Sequence, residues 1–348
     1  MTGKTVSAIT QQSRPEGDVS AAFPQVRHYL DDLLSGYQTR YDHLHTPLRA
    51  LITRGRQTPH ELSLPLLVHA AVRGAPEPAV PVAAVHTLWW RAANTFDDIV
   101  DGDAGTRLYG LPHGIALTAA LECGYALPLR ALASMPLPEA RRQALIREYL
   151  DGWTTACDGQ IGDVLHHPAD VEPETVLHVY RRKSAALYAM ACSMAARVAE
   201  ATHLSGAPAV RVPDWARFGH VLGMLAQFRN DEDDLRSGQC EDLRNQRATY
   251  MLVLFLRSAS PDRRAQALRL LESARASAAS RQELLTMLRD PEVVARYHAH
   301  IHTQKREALA LIESLAPRSP YAPALRALVH SEVGFLPSEG QLDHSQGH

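Results

Sequence analysis

The stretch Val80-Pro-Val-Ala-Ala-Val-His-Thr-Leu-Trp-Trp-Arg-Ala-Ala-Asn-Thr-Phe-Asp-Asp-Ile-Val-Asp101 decides how the rest of the chain is read. Its body is almost entirely Ala, Val, Leu and Trp, so it predicts a helix buried on every side. Its C-terminal end carries Asp97, Asp98 and Asp101. Asp97 and Asp101, one helical turn apart, share a face, and Asp98 widens that face into one cluster of negative oxygens. Carboxylates at a helix C-terminus are disfavoured by about 0.3–1 kcal/mol each, and clustered ones repel one another, so a cationic partner is expected. Hard oxygen donors suit Mg²⁺, which keeps several waters and shares its remaining positions with phosphate oxygens. A buried helix that ends this way must open onto a cavity.

A second cluster, Asn230-Asp231-Glu-Asp-Asp234, follows about 130 residues later and closes another apolar segment, Phe218-Gly-His-Val-Leu-Gly-Met-Leu-Ala-Gln-Phe228. One acidic run is ordinarily a solvated helix end. Two such runs, each at the end of a buried helix, predict a metal-held diphosphate.

The bulk of the chain is neutral in its demands. Its 348 residues are 45% hydrophobic with a formal net charge of -2, enough for a large core and too balanced for bulk attraction to nucleic acid. Lys and Arg are scattered, so affinity for a polyanion must come from a local pocket. Cys123, Cys157, Cys192 and Cys240 stand far apart without CxxC spacing, and no basic-then-apolar leader opens the chain, which predicts reduced thiols and a cytoplasmic protein. The longest apolar stretch considered, Leu64 to Trp90, is interrupted by His69, Arg73, Glu77 and prolines, so no integral membrane association is expected. HExxH is absent, and His166-His167 beside Pro168 read as solvated loop histidines.

Apolar spacing of three and four residues predicts helices at roughly 24–53, 78–101, 110–133, 138–165, 173–203, 213–236, 247–257, 261–289, 291–316 and 321–333. Breaks fall at Gly74-Ala-Pro76-Glu-Pro78, Gly102-Asp-Ala-Gly105, Pro168, Gly206-Ala-Pro208, Pro261, Pro291 and Pro317. No period-two strand and no linker long enough to split the chain is visible. The expectation is one all-α domain over residues 21–336, with polar tails at 1–20 and 337–348 that are disordered or flexible.

Further motifs stand in order between and beyond the acidic runs: Gly159-Gln-Ile-Gly-Asp163, Arg182-Lys183-Ser184-Ala-Ala-Leu187, Gln227-Phe-Arg-Asn-Asp-Glu-Asp-Asp234 and Glu241-Asp-Leu-Arg-Asn-Gln-Arg247-Ala-Thr249. With Phe-Asp-Asp-Ile-Val-Asp101, they make the chain resemble the trans-isoprenyl diphosphate synthases, or polyprenyl synthetases, over roughly residues 50–330. The resemblance implies a class I isoprenoid synthase bundle around a deep cavity. It also implies Mg²⁺, about three ions with the diphosphate bound. Asp97, Asp98 and Asp101 take the first metal motif's positions, and Asn230, Asp231 and Asp234 the second's. Lys183 matches a diphosphate-binding lysine, Gln227 the glutamine ahead of the second motif, and Arg247 a position usually held by lysine. A homodimer is implied as well. Trp89, Phe96 and Phe228 are candidates to line the prenyl pocket, and Ala93 with Ala92 leaves room one turn before the acids for a C15 or C20 chain.

The chemistry follows from charge. Breaking a carbon–oxygen bond to leave an allylic cation requires the departing diphosphate to be stabilised, the role expected of Asp97, Asp98, Lys183 and Arg247 with the metal. Elements that hold isopentenyl diphosphate in the family are degraded here. The early basic element is reduced to Arg54-Gly-Arg56, and an arginine pair after the first motif to Arg107. Asn230 replaces Asp, as in terpene cyclases. The leading expectation is therefore cyclisation of one prenyl diphosphate, and Arg296-Tyr297 resembles a cyclase pair. The alternatives are chain elongation with isopentenyl diphosphate through Arg54, Arg56 and Arg107, or prenyl transfer to a non-isoprenoid acceptor such as an aromatic. A non-catalytic regulatory subunit is a further alternative, against which the retained carboxylate clusters stand.

Overall fold

The computed structural model describes residues 17–54, 59–100, 105–201 and 209–337. Among these residues the chain is helical: α1 (Phe23–Gln38), α2 (Asp42–Arg54), α3 (Pro59–Arg73), α4 (Val80–Val100), a hairpin of β1 (Arg107–Leu108) and β2 (Leu111–Pro112), α5 (His113–Leu121), α6 (Leu127–Ala133), α7 (Glu139–Leu165) and α8 (Pro173–Tyr180). It continues in α9 (Ala186–Ala201), α10 (Val212–Ser237), α11 (Glu241–Arg244), α12 (Tyr250–Ser258), α13 (Pro261–Ala274), α14 (Ala278–Leu288), α15 (Pro291–Leu315) and α16 (Ala322–Glu332). The tails expected at 1–20 and 337–348 fall almost wholly outside the described residues.

Alanine places α9 at the centre. Its side chains from Leu187 to Ala199 are nearly all buried and mostly small, so α3, α7 and α10 pack closely against it. The second ring is α4, enclosed by α1, α3, α5 and α6, while α15 covers the other side of α10. Capping sets several boundaries. Ser260 and Asp290 accept from the backbone N–H groups of Arg263 and Glu292, each with proline at the first helical position. Gly238 at φ 74° ends α10 in the left-handed conformation.

The departures from the expected pattern have local causes. The segment 24–53 divides at Thr39-Arg40-Tyr41 into α1 and α2, and 261–289 divides where Ser277 caps α14. Helix α3 was not among the expected helices; Pro65 stands inside it, as Pro47 stands inside α2. One continuous helical run, His113–Ala133, is long and apolar enough to cross a membrane by length and composition, but it carries Glu122 and Arg130 and half of it is buried inside the bundle. Its charges also serve the fold: Tyr37 donates to Glu122, and Arg130 lies 5.5 Å from the Tyr37 ring centroid. All four cysteines are free, and only Cys157 is exposed.

Glu332, buried on α16, faces Arg229 of α10 with 3.7 Å between Oε2 and Nη1. Burial raises its pKa from 4.5 to about 7, Arg229 opposes the rise, and Asp233 adds to it. The folded state therefore binds this proton more tightly than the unfolded state. Stability from this group is present below the unfolded pKa and falls as pH rises through the folded one. Glu332→Gln is expected to stabilise the protein by on the order of 2 kcal/mol at pH 8 and to leave it nearly unchanged at pH 4.5, read by urea denaturation at both values.

Candidate active site

Four elements meet at the site: the ends of α4, α7 and α10, and a π-helical turn, Arg181–Ala185, between α8 and α9. The widened turn carries Lys183 and Ser184. Helix α7 approaches it closely because Gly159 has no side chain; a methyl there would run into the backbone of Arg182 and Lys183.

Lys183 joins two of the helices. Its Nζ lies 2.8 Å from Asp163 Oδ2 on α7 and 3.4 Å from Asp97 Oδ1 on α4. Gln160 Nε2 donates to the same Asp97 oxygen at 2.9 Å. Burial disfavours the lysine's charge, but Asp163 and Asp97 outweigh it and hold the pKa above the ordinary lysine value. The ammonium is therefore charged at any working pH.

Across the site, Ser184 donates to Gln227 Oε1, and Gln227 Nε2 donates to Asp231 Oδ1 at 2.7 Å. The Tyr180 hydroxyl donates to the other Asp231 oxygen and accepts from the Tyr250 N–H at 3.0 Å. Burial lifts the Asp231 pKa to about 7, against the Tyr180 and Gln227 hydrogen bonds. Asp242 is raised well above the ordinary value by burial and then by Asp231, Asp234 and Asp163. Lys183 is the cation acting on both. No three His, Cys, Asp or Glu side chains among the described residues enclose an ion position in this conformation. The donors nonetheless fit a hard cation, since they are oxygens with more negative charge than Lys183 offsets.

The remaining expected polar residues differ in their placement. Asp98 is half-buried beside Asp97, Asn230 is exposed, and Asp101 and Arg56 lie outside the described residues. Asp234 departs from a purely ligating role, since its two oxygens accept the N–H groups of Glu241 at 2.8 Å and Asp242 at 3.1 Å, capping α11. Arg247 is half-buried between α11 and α12, its N–H on the Asp242 carbonyl at 2.8 Å. Arg107 is exposed, and its Nε donates to the Gly110 carbonyl at 3.0 Å.

Of the apolar candidates, Ala93 and Phe96 are half-buried and Trp89 is buried against Trp90 and Trp153. Phe228 does not line a pocket. It has no exposed surface and is ringed by Tyr180, Tyr250, Tyr297 and His300 at centroid distances of 5.6–5.7 Å. Tyr297 is core as well, donating to the Phe228 carbonyl at 3.3 Å, so Arg296-Tyr297 is no cyclase pair. Gln160, Asp163, Tyr180 and Asp242 were not expected as site residues. Three of them lie in motifs that carried the resemblance, while Tyr180 had no sequence signal.

The polyprenyl synthetase family model matches residues 44–288. The chain belongs to the polyprenyl synthetase family. It is an enzyme of the isoprenoid synthase class. Solved structures share the fold: geranylgeranyl pyrophosphate synthetase from Pyrococcus horikoshii Ot3 superposes with a TM-score of 0.73 at 17% identity, covering 89% of this chain and 95% of its own. Polyprenyl synthetase from Streptomyces coelicolor A3(2) gives 0.72 at 18% identity over 90% of this chain and 99% of its own. Decaprenyl diphosphate synthase from Rhodobacter capsulatus gives 0.66 at 18% identity over 89% and 100%. None of the curated proteins searched matches the chain. Membership of this family favours the prenyl-transfer alternative over the cyclisation that led the expectations.

The Tyr180 hydroxyl, donating to Asp231, fixes the orientation of that carboxylate. Tyr180→Phe is expected to lower kcat/KM for diphosphate release by roughly 10- to 100-fold, the usual effect of losing such a partner. The loss of a buried hydrogen bond should also lower stability by about 1–2 kcal/mol. Steady-state kinetics beside a denaturation curve checks both, and unchanged kinetics would remove Tyr180 from the site.

Proposed function

We propose that this polyprenyl synthetase is a Mg²⁺-dependent trans-prenyltransferase that joins the prenyl group of an allylic diphosphate to isopentenyl diphosphate. The observation that carries this is the meeting of two arginines expected for the second diphosphate. Arg54, at the end of α2, donates from Nη1 to the Tyr109 carbonyl at 3.1 Å, and Arg107 holds the next carbonyl of the same turn. That turn follows directly after the first acidic run. Each guanidinium has five N–H donors, so both retain donors for a phosphate.

The roles divide by charge. Lys183 and Arg247 would bind the leaving diphosphate, and Gln227 would hold Asp231 in place. Asp97, Asp98, Asp101, Asn230, Asp231 and Asp234 would hold Mg²⁺, which when bound supplies positive charge to the departing diphosphate oxygens. Moving Asp234 onto an ion would release the N–H groups of Glu241 and Asp242. The half-buried apolar side chains below Asp97 exclude water from the allylic cation.

A second reading, cyclisation or transfer to an aromatic acceptor, is favoured by Asn230 and by the small number of arginines at the acceptor side. Incubation with Mg²⁺ and C10, C15 and C20 diphosphates, with and without isopentenyl diphosphate, separates the readings. A longer prenyl diphosphate formed only with isopentenyl diphosphate is expected. Hydrocarbon released from a single substrate would replace the transferase reading with the cyclase one.

Assembly as a homodimer, in a cytoplasmic setting that suits four free thiols, belongs to the same proposal. Ile115, Leu121, Tyr125, Ile161, Val164 and Leu165 are exposed, and all lie on α5, the π-helical turn Glu122–Ala126 or α7. Leu165, at 75% exposure, is the extreme case. Sedimentation velocity should show a dimer that Ile161→Glu with Leu165→Glu converts to monomer; a monomeric parent chain would end this part of the proposal.

A further inference from the structure

One buried cation stands apart from the acidic helix ends. Arg91 of α4 is 1% exposed, and among the described residues it is the one lysine or arginine enclosed to that degree. Its neighbour Trp90 turns towards Tyr188 of α9, so Arg91 leaves α4 on another face, about 100° round the helix. That face looks onto a cavity of about 290 Å³ bounded by α1, α2 and α4. The volume is near the lower end for small-molecule pockets.

The cavity runs from the surface inward to α4. Arg27 and Asp31 of α1 and Thr53 of α2 are exposed at its mouth, while Thr87 and Arg91 are buried at its base. Leu30 and Ile52, both buried, make the wall between them apolar. The polar groups have a fixed hydrogen-bonding sense. The Thr87 hydroxyl donates to the Ala83 carbonyl at 2.9 Å and the Thr53 hydroxyl to the Arg49 carbonyl at 2.7 Å, so both turn only lone pairs to the cavity. Arg91 has only donors, five in a planar fork, more than a single bidentate partner takes up. Arg27 and Arg91 against Asp31 leave one positive charge in excess on the lining.

We propose that this cavity binds a compact monocarboxylate with an apolar body, its carboxylate held inward on Arg91. One excess charge matches one anionic group. A planar carboxylate can turn both oxygens to the guanidinium fork, whereas a phosphate, with oxygens on every side, would bring some of them against the Thr87 lone pairs. The apolar body then lies along Leu30 and Ile52, and Asp31 at the mouth disfavours a second negative charge. The site is separate from both diphosphate positions. Arg54 follows Thr53 in the chain, but its guanidinium is on the Tyr109 carbonyl, and neither it nor Arg107 lines the cavity. A ligand seated here would tie α1 and α2 to the helix that carries Asp97, and nothing in its binding requires the chain to transfer a prenyl group.

The full chain is titrated with 4-fluorobenzoate and followed by fluorine NMR, without Mg²⁺ or any diphosphate. Saturable binding with a Kd of about 1 mM or below is expected. The uncharged 4-fluorobenzamide and inorganic phosphate should each bind roughly tenfold or more weakly. Arg91→Met should weaken the benzoate by roughly tenfold or more, and so should Arg27→Glu, which reverses a charge at the mouth, and Thr53→Trp, which narrows it. If Arg91→Met does not fold, the two exposed mouth variants decide. Pyrophosphate with Mg²⁺, added to occupy the acidic ends, should leave the benzoate affinity unchanged. No saturable binding, amide or phosphate bound as tightly as the benzoate, folded variants with unchanged affinity, or displacement by pyrophosphate would each overturn the carboxylate site. Because no prenyl substrate is present, these outcomes leave the prenyl-transfer reading untouched, and its failure leaves the carboxylate site standing.

Discussion

A single ammonium group holds this site together. Lys183 lies between Asp163 of α7 and Asp97 of α4, and without it the carboxylates at two neighbouring helix ends would face each other across a half-buried space. The position of the lysine depends on backbone geometry. The π-helical turn displaces it from a regular helical register, and Gly159 lets α7 come close enough for Asp163 to reach it. A buried ion pair of this kind contributes little net stability, because desolvation offsets the attraction. Its value lies in placement: the cation is fixed where a diphosphate would arrive, while Asp231 and Asp242 on the far side remain under-neutralised.

The α10 side is built on different lines, and Asp234 shows how. Residue type and spacing mark it as a third carboxylate of an acidic run. The backbone uses it as the cap of α11, with both oxygens on consecutive N–H groups. That capping ties the second run to the short segment carrying Asp242 and Arg247, so any movement of Asp234 towards an ion must also release this segment. Under the proposed ligand role of Asp234, loading of an ion would be coupled to the position of Arg247 through these two hydrogen bonds. Tyr180 makes a comparable link at Asp231, joining the α10 carboxylate to the first turn of α12 through the Tyr250 N–H.

Legibility from sequence divides along the same line between local and tertiary causes. Helices α4 and α10 and their acidic ends could be read because apolar periodicity and charged termini are local properties, whereas Lys183 and Gln227 were marked by the family resemblance alone. Helix α3 was missed, and its Leu64, Leu66, Leu67 and Val68 are buried in the core on both sides of Pro65, so tertiary packing holds a helix that proline disfavours locally. Phe228 was misplaced for the opposite reason: it neighbours Gln227 in sequence, but one residue along a helix turns the side chain about 100° onto another face. His166 was read as a solvated loop histidine, yet it caps α7 with a sealed Nδ1. Tyr180 lies far from α10 in the chain, and nothing local marks its bond to Asp231.

The pair Ala92 and Ala93 carries this furthest. Small side chains before an acidic motif leave room only if no other element supplies a side chain to fill it. Ala92 has no exposed surface, because α7 and the π-helical turn at Gly124 bring Trp153 into that space. Ala93, one position on, remains half-buried. Two adjacent alanines thus have opposite consequences, set by which face of α4 meets α7. Pocket contour belongs to the packing of three helices, each of which looks roomy when read alone. The same acidic helix end can therefore stand beside open or filled space, and the residue that fills it next to Ala92 lies more than fifty residues away in the chain.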